Sequence, residues 1–291
     1  VSISTTGDPI YESDSWGCGI SHDGRYVMFH SSGLGPWADH VMVRDRVAGT
    51  TELVSISSSG EWGNDASWGK AISPDGRYVA FSSFASNLVP GDTNGLGDVF
   101  VRDRTAGTTE RVSVSTSGEQ GNNCSQCASI SADGRHVAFV SVATNLVAGD
   151  SNGYCDVFLR DRVVGTTELI SVNETGESGN SESTFPEISP DGRCVLFTSW
   201  ASDLMPGDTN DWWDVFLRDR LEGATELVSV SSSGEQGSRP DDEADFLFWG
   251  GISADGRYVV FHTDAAGIVP GDTNDRSEVF LRDRVAGTTE L

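Results

Sequence analysis

Short apolar-rich runs separated by polar turns fill the chain, and they return in one fixed order. The same motif is written five times, as ISHDGRYVMF, ISPDGRYVAF, ISADGRHVAF, ISPDGRCVLF and ISADGRYVVF, beginning at Ile20, Ile72, Ile130, Ile188 and Ile252. A repeat this rich in β-branched residues and Gly is not helical. Each unit divides into four segments, most clearly in the second: a lead-in ending ISP, then RYVAFSS, then DVFVRDR, then TTERVSVS. Four strands per unit predict a propeller blade. Asp-Gly joins the first two segments at Asp23, Asp75, Asp133, Asp191 and Asp255, a dipeptide suited to a tight hairpin in which both central residues take positive φ. A Gly-containing turn, RVAGTT at Arg46 and Arg284, joins the last two. The expected fold is therefore all-β: a five-bladed β-propeller of antiparallel meanders, with residues 1–291 forming one domain.

The Asp-Gly turns lie 52, 58, 58 and 64 residues apart, and 59 apart when counted from Asp255 through the termini to Asp23. The chain begins VSIS at Val1 and stops TTEL at Leu291, whereas TTELVSIS runs unbroken from Thr50. These ends predict a ring closed by the N- and C-terminal halves of one outer strand, with Val1 beside Leu291. The alternative is a segment of a longer tandem array, in which TTEL of one copy continues into VSIS of the next and builds a head-to-tail assembly.

The S-P/A-D-G-R-x-V-x-F motif followed by D-V-F-L-R-D-R resembles the repeat of the TolB-like (PD40 or WD40-like) propeller family, and the resemblance covers the whole chain. It implies a propeller of the secreted bacterial type and says almost nothing about activity. The period departs from the family's usual form, at about 58 residues against roughly 40–50 for familiar propeller repeats. The extra length lies between the second and third strands and in the linkers between blades.

The formal charge of −25 changes the picture of partners. Five Arg of the Asp-Gly-Arg turns and ten of the Arg-Asp-Arg segments account for 15 of the 19 basic residues, leaving Lys70, Arg111, Arg239 and Arg276. No basic face remains for nucleic acid. The acidic excess fits a secreted or surface-exposed protein that meets cations or basic partners, and it equally fits a merely solvated surface. The sequence has no apolar run of membrane-spanning length and no basic-then-apolar leader, and a start within a strand implies that the true N-terminus lies upstream. Five cysteines, with Cys124 and Cys127 spaced CxxC, lack the partners of a zinc site. Cys155 is placed to pair with Cys124 or Cys127, which would indicate an oxidising compartment. Cys18 stands alone, and Cys194 takes the place of Tyr26, Tyr78, His136 and Tyr258, a packing position.

The sharpest local signal is PGDTNGLGD and its copies. They set Asp92, Asn94 and Asp98 in the second unit, Asp150, Asn152 and Asp156 in the third, Asp208, Asn210 and Asp214 in the fourth, and Asp272, Asn274 and Glu278 in the fifth. Oxygen side chains at i, i+2 and i+6 around a turn can converge on Ca²⁺, which takes six to eight oxygens. Up to four such sites are expected, and none in the first unit, whose shorter loop offers only Asp39. The competing reading is a hairpin loop of Asx turns, in which Asp and Asn bond their own backbone.

The Arg-Asp-Arg segments are intact in all five copies and read as structural forks bridging carboxylates. Functional asymmetry lies elsewhere. The fifth unit has an enlarged lead-in, SRPDDEADFLFWGG from Ser238; the fourth carries Trp212 and Trp213 in its acidic loop; and Trp16, Trp68 and Trp249 precede their motif Ile at the mouth of the innermost strand. These tryptophans form either a sugar- or peptide-binding crown or a plug of packed rings. Of the five His residues, His22 and His136 lie in or just after Asp-Gly turns and His30 and His262 end second strands; neither G-x-S-x-G nor H-E-x-x-H is present, and the Ser residues follow the repeat. Sequons at Asn123 and Asn173 carry little weight. The leading expectation is a calcium-stabilised binding or structural module for a protein or carbohydrate partner. A carbohydrate-active or lyase-type enzyme with carboxylates at a central channel is the alternative.

Overall fold

The computed structural model describes residues 15–32, 39–210, 212–238, 250–271 and 277–291, with the side chains of Ser15 and Trp16 excepted. These residues form five four-stranded antiparallel sheets, each in sequence order, and include no helix. The first sheet is β1 (Ser15–Ile20), β2 (Tyr26–Ser31), β3 (His40–Asp45) and β4 (Thr50–Leu53). The second is β5 (Ser67–Ile72), β6 (Tyr78–Ser83), β7 (Asp98–Asp103) and β8 (Thr108–Arg111). The third is β9 (Ser125–Ile130), β10 (His136–Ser141), β11 (Asp156–Asp161) and β12 (Thr166–Leu169). The fourth is β13 (Ser183–Ile188), β14 (Cys194–Ser199), β15 (Asp214–Asp219) and β16 (Ala224–Leu227). The fifth is β17 (Gly250–Ile252), β18 (Tyr258–Thr263), β19 (Glu278–Asp283) and β20 (Thr288–Glu290). Each sheet matches one propeller blade. Val1, and with it the closing contact expected at Leu291, lies outside the described residues.

Contacts divide the chain into two compact units, one holding the first two sheets and the other the last two, with the boundary passing through the third sheet. Within the first unit, Met28, Val41, Val43, Val79, Phe81 and Phe100 close a core between the first and second sheets. Phe81 and Phe100 stack at 5.6 Å. Within the second unit, Leu196, Val215, Leu217, Val259, Phe261 and Phe280 do the same for the fourth and fifth sheets. The middle strands of the second, third and fourth sheets are buried on both faces, so they read as continuous apolar runs without alternation.

The Asp-Gly turns differ from the expected two-residue hairpin. Ser21 N–H donates to the Tyr26 carbonyl, and Gly24 N–H to that of Ser21, enclosing a longer loop. Only the glycine is left-handed, at φ +69° for Gly24. Asp23 is used differently: its carboxylate accepts from Ser21 Oγ and from the Arg25 backbone N–H. The same set recurs at Ser73, Ser131, Ser189 and Ser253.

The Arg-Asp-Arg segments are structural, as their sequence predicts. The Arg of each Asp-Gly-Arg turn forks onto the Asp of its own sheet: Arg25 to Asp45, Arg77 to Asp103, Arg135 to Asp161, Arg193 to Asp219 and Arg257 to Asp283. That hydrogen bond is the first cause holding these five carboxyls below the usual range. The second Arg of the segment reaches the preceding sheet, pairing Arg104 with Glu52, Arg162 with Glu110 and Arg284 with Glu226. Arg104 also lies over the Tyr26 ring at 4.3 Å. The ring also packs against Gly76, where an added Cβ would fall 2.1 Å from Tyr26. Cys194 holds the equivalent packing place against Gly256.

Candidate functional site

In the second, third and fourth sheets the third strand opens on a buried Asp at the end of the acidic loop. In the second sheet it is Asp98, with Ser113 Oγ donating to Oδ1 at 2.5 Å and Gln120 Nε2 donating to Oδ2 at 2.8 Å. Gln120 also donates to Asp92. Arg111 completes the group, 3.4 Å from Asp98 and 3.5 Å from Asp92, so a guanidinium of the chain itself neutralises the two acids. Burial still raises the Asp98 pKa against these donors.

The fourth sheet repeats the arrangement without the Arg. Ser229 and Gln236 donate to Asp214, Gln236 also donates to Asp208, and the place of Arg111 is held by Leu227. Burial, with the charge of Asp208 added, pushes Asp214 up to about 7.

In the third sheet the Gln is absent as well, because Ser178 stands where Gln120 and Gln236 stand. Ser171 Oγ and Asn152 Nδ2 donate to Asp156. Asp150 is 7% exposed, and its Oδ1 is buried without a hydrogen-bond partner. Burial, reinforced by the Asp150 charge, pushes Asp156 to about 7, and burial raises Asp150 too.

The first sheet replaces the acid with His40, which shares a hydrogen bond with Ser55 and meets the Trp62 ring edge-on at 5.0 Å. Burial lowers the His40 pKa, favouring the neutral ring. The sequence reading missed His40, although it stands at the position of Asp98, Asp156, Asp214 and Glu278. In the fifth sheet Asp272 and Asn274 lie outside the described residues, while Glu278 opens β19.

The structure thus brings the two acids of each described loop to one place but uses the asparagines otherwise. The side-chain oxygens of Asn94, Asn152 and Asn210 accept from the backbone N–H of Leu96, Tyr154 and Trp212, the Asx turns of the competing reading. Among the described residues no group of three or more His, Cys, Asp or Glu side chains is arranged around one point. Two carboxylates with backbone carbonyls and water remain a donor set that a hard cation accepts. Arg111 could have been found from sequence, since it is one of the few basic residues outside the motifs and stands where the other units have Leu.

Of the tryptophans singled out in sequence, Trp16 (as a side chain) and Trp249 lie outside the described residues. Trp212 is buried and Trp213 half-buried, and both surround Trp200 at 6.1 Å and 5.9 Å between ring centres. Trp200, which sequence reading passed over, is the exposed member at 41%. Trp68 meets Phe84 edge-to-face at 5.8 Å. The five cysteines are held as thiols, so the pairing expected for Cys155 is not present; Cys155 belongs to one compact unit and Cys124 and Cys127 to the other.

No family model matches the chain, and no curated protein matches it in sequence. Solved structures do match in fold. A TolB from Agrobacterium tumefaciens aligns at TM-score 0.54 and 19% identity over 96% of this chain and 80% of its own. TolB from Acinetobacter baumannii aligns at TM-score 0.52 and 17% identity over 95% of this chain, which spans 53% of that protein's length. The β-propeller domain of the Trilobed protease from Pyrococcus furiosus aligns at TM-score 0.56 and 12% identity, over 94% of this chain and 69% of that one. The fold of the chain is therefore that of the TolB-like β-propellers.

Proposed function

We propose that this chain is a secreted or surface-exposed propeller that acts as a binding module for a protein or carbohydrate partner and takes a divalent cation at its third acidic loop. The binding role rests on the Trp200 cluster. Three indoles gather at the loop end of the fourth sheet, and the exposed one is held by the other two, so its contact face is fixed before any partner arrives. The acidic composition suits the location, and no described helix is long and apolar enough to cross a membrane. Retention on immobilised glycans or a captured protein that is lost in Trp200→Ala supports the role. Equal retention of Trp200→Ala and wild type would sink it.

The cation reading is carried by the unpartnered Asp150 oxygen. A buried acceptor left unmade costs about 1–3 kcal/mol, and a cation between Asp150 and Asp156 would remove that cost and bring both acids back to the ionised form. Ca²⁺ would be held there by these two carboxylates with backbone carbonyls. The second loop already carries a charge of the right sign in Arg111, and the fourth is bridged by Gln236, so the third is the most receptive of the described loops. Thermal unfolding at pH 8 with Ca²⁺ and then with EDTA tests this. Calcium at 100-fold over Kd adds about 2.7 kcal/mol per site. The gain should vanish in Ser178→Gln, which supplies the amide found in the second and fourth sheets. An unchanged melting temperature in chelator would refute it.

A further inference from the structure

Beside the second sheet lies a cavity of about 540 Å³ that shares only Gly97 with the acidic loop of that sheet and does not involve the Trp200 cluster. Trp68, Lys70, Ser82, Phe84, Cys124 and Gln126 line it. Lys70 is the one lysine of the chain. It is the extra residue of a β-bulge, since Gly69 pairs with Phe81 and Ala71 with Ala80, leaving Lys70 without a partner across the ladder. Bulges re-aim side chains in this way next to functional sites. Among the described residues its ammonium makes no ion pair, in a chain of net charge −25 where acids are plentiful.

A second observation comes from Ser82. It is 4% exposed, and its Oγ has no hydrogen-bond partner. Buried hydroxyls are seldom left so, and the residue belongs to the cavity lining. The wall beside it is aromatic, since Trp68 pairs with Ser82 across the ladder and the Trp68 and Phe84 rings meet at 87°, offering two flat faces in an L. Phe84 is 43% exposed and fits there because residue 97 is glycine, where a Cβ would come within 3.2 Å of its ring. The other units have Asp39, Cys155, Trp213 and Ser277 at that position. Lysine, buried hydroxyl, aromatic corner and glycine coincide in this unit alone of the five.

We propose that the cavity binds a small organic carboxylate attached to a ring, with the anion on Lys70 and the ring against Trp68 and Phe84. The ammonium supplies up to three donors. The aromatic corner accepts either an aromatic ring or the C–H face of a sugar ring, and the volume lies within the usual range for a ligand pocket, roughly 300–1,000 Å³. The surrounding negative charge would repel polyanions and leave single carboxylates favoured.

Ligand-observed NMR and calorimetry with four probes test this: phenylacetate and D-glucuronate, and their neutral counterparts 2-phenylethanol and D-glucose. At least one acid should bind with Kd near or below about 1 mM, while its neutral counterpart binds at least about tenfold more weakly. Which acid binds identifies the ring. Lys70→Met, which keeps the aliphatic stem, should lose at least about tenfold in affinity with an unchanged circular dichroism spectrum, and Phe84→Ala should weaken binding with Lys70 intact. Neutral probes binding as tightly as the acids, Lys70→Met binding as well as wild type, or neither acid binding at about 10 mM would each overturn the proposal.

Discussion

The Arg111 guanidinium lies 3.4 Å from the Asp98 carboxylate, with both side chains buried, whereas Leu169 and Leu227 hold the position of Arg111 beside Asp156 and Asp214. One substitution thus separates a compensated acid pair from an uncompensated one. Arg111→Leu should destabilise the chain by about 3 kcal/mol at pH 8, because it strands a buried carboxylate. At pH 5 the loss should shrink, since Asp98 can then hold its proton. Urea unfolding at the two pH values checks this, and an equal penalty at both would argue against the charge account.

Asp156 and Asp214, both near 7 in the fold, set a pH window. The unfolded chain gives up these protons near pH 4 and the folded chain near pH 7, so in between the fold holds more protons and its stability falls as pH rises. The five Arg-paired carboxyls work oppositely, with stability lost as pH drops below the unfolded value of about 3.9. Maximal stability without added metal should therefore fall near pH 4–5. Asp156→Asn and Asp214→Asn should each flatten the decline from pH 5 to 7, as melting temperatures across that range would show.

Gly76→Ala and Gly60→Ala form a matched pair. Both positions are left-handed, at φ +74° and +89°, but a Cβ at Gly60 meets nothing within 4 Å while one at Gly76 strikes Tyr26. Gly60→Ala should cost about 1–2 kcal/mol and Gly76→Ala about 3 kcal/mol or more. Combining Gly76→Ala with Tyr26→Ala should recover the excess, giving a clear coupling in a double-mutant cycle.

Cys194→Tyr restores the residue that packs at this place in the first and second sheets. There Arg104 lies over Tyr26 and Arg162 over Tyr78, and in the fifth sheet Arg284 is positioned near Gly256 to do the same. The variant should gain about 0.5–1 kcal/mol from the cation–π contact. A lower melting temperature would mean that the site cannot open to admit the ring.

The twenty strands were legible because the apolar pattern is repeated five times with the same turn residues, so each copy corrects the reading of the others. The Asp-Gly loops were placed rightly but given the wrong geometry, because the Ser two residues before each Asp captures its carboxylate and draws the turn wider. The acidic triplets were seen as equivalent since their spacing is conserved along the chain. Their differences come from residues brought in by later segments: Arg111, Gln120, Ser178 and Gln236 sit 13 to 28 residues further on. Trp200 escaped notice because it follows an ordinary second strand, and only the fold shows Trp212 and Trp213 closing around it.

The bulge that turns Lys70 toward its cavity has a practical side. As the chain's single lysine it is also its only side-chain amine, so an amine-reactive dye, cross-linker or resin would mark one side-chain location, beside the Trp68–Phe84 corner. Protection of that amine by a bound acid would report occupancy by mass alone.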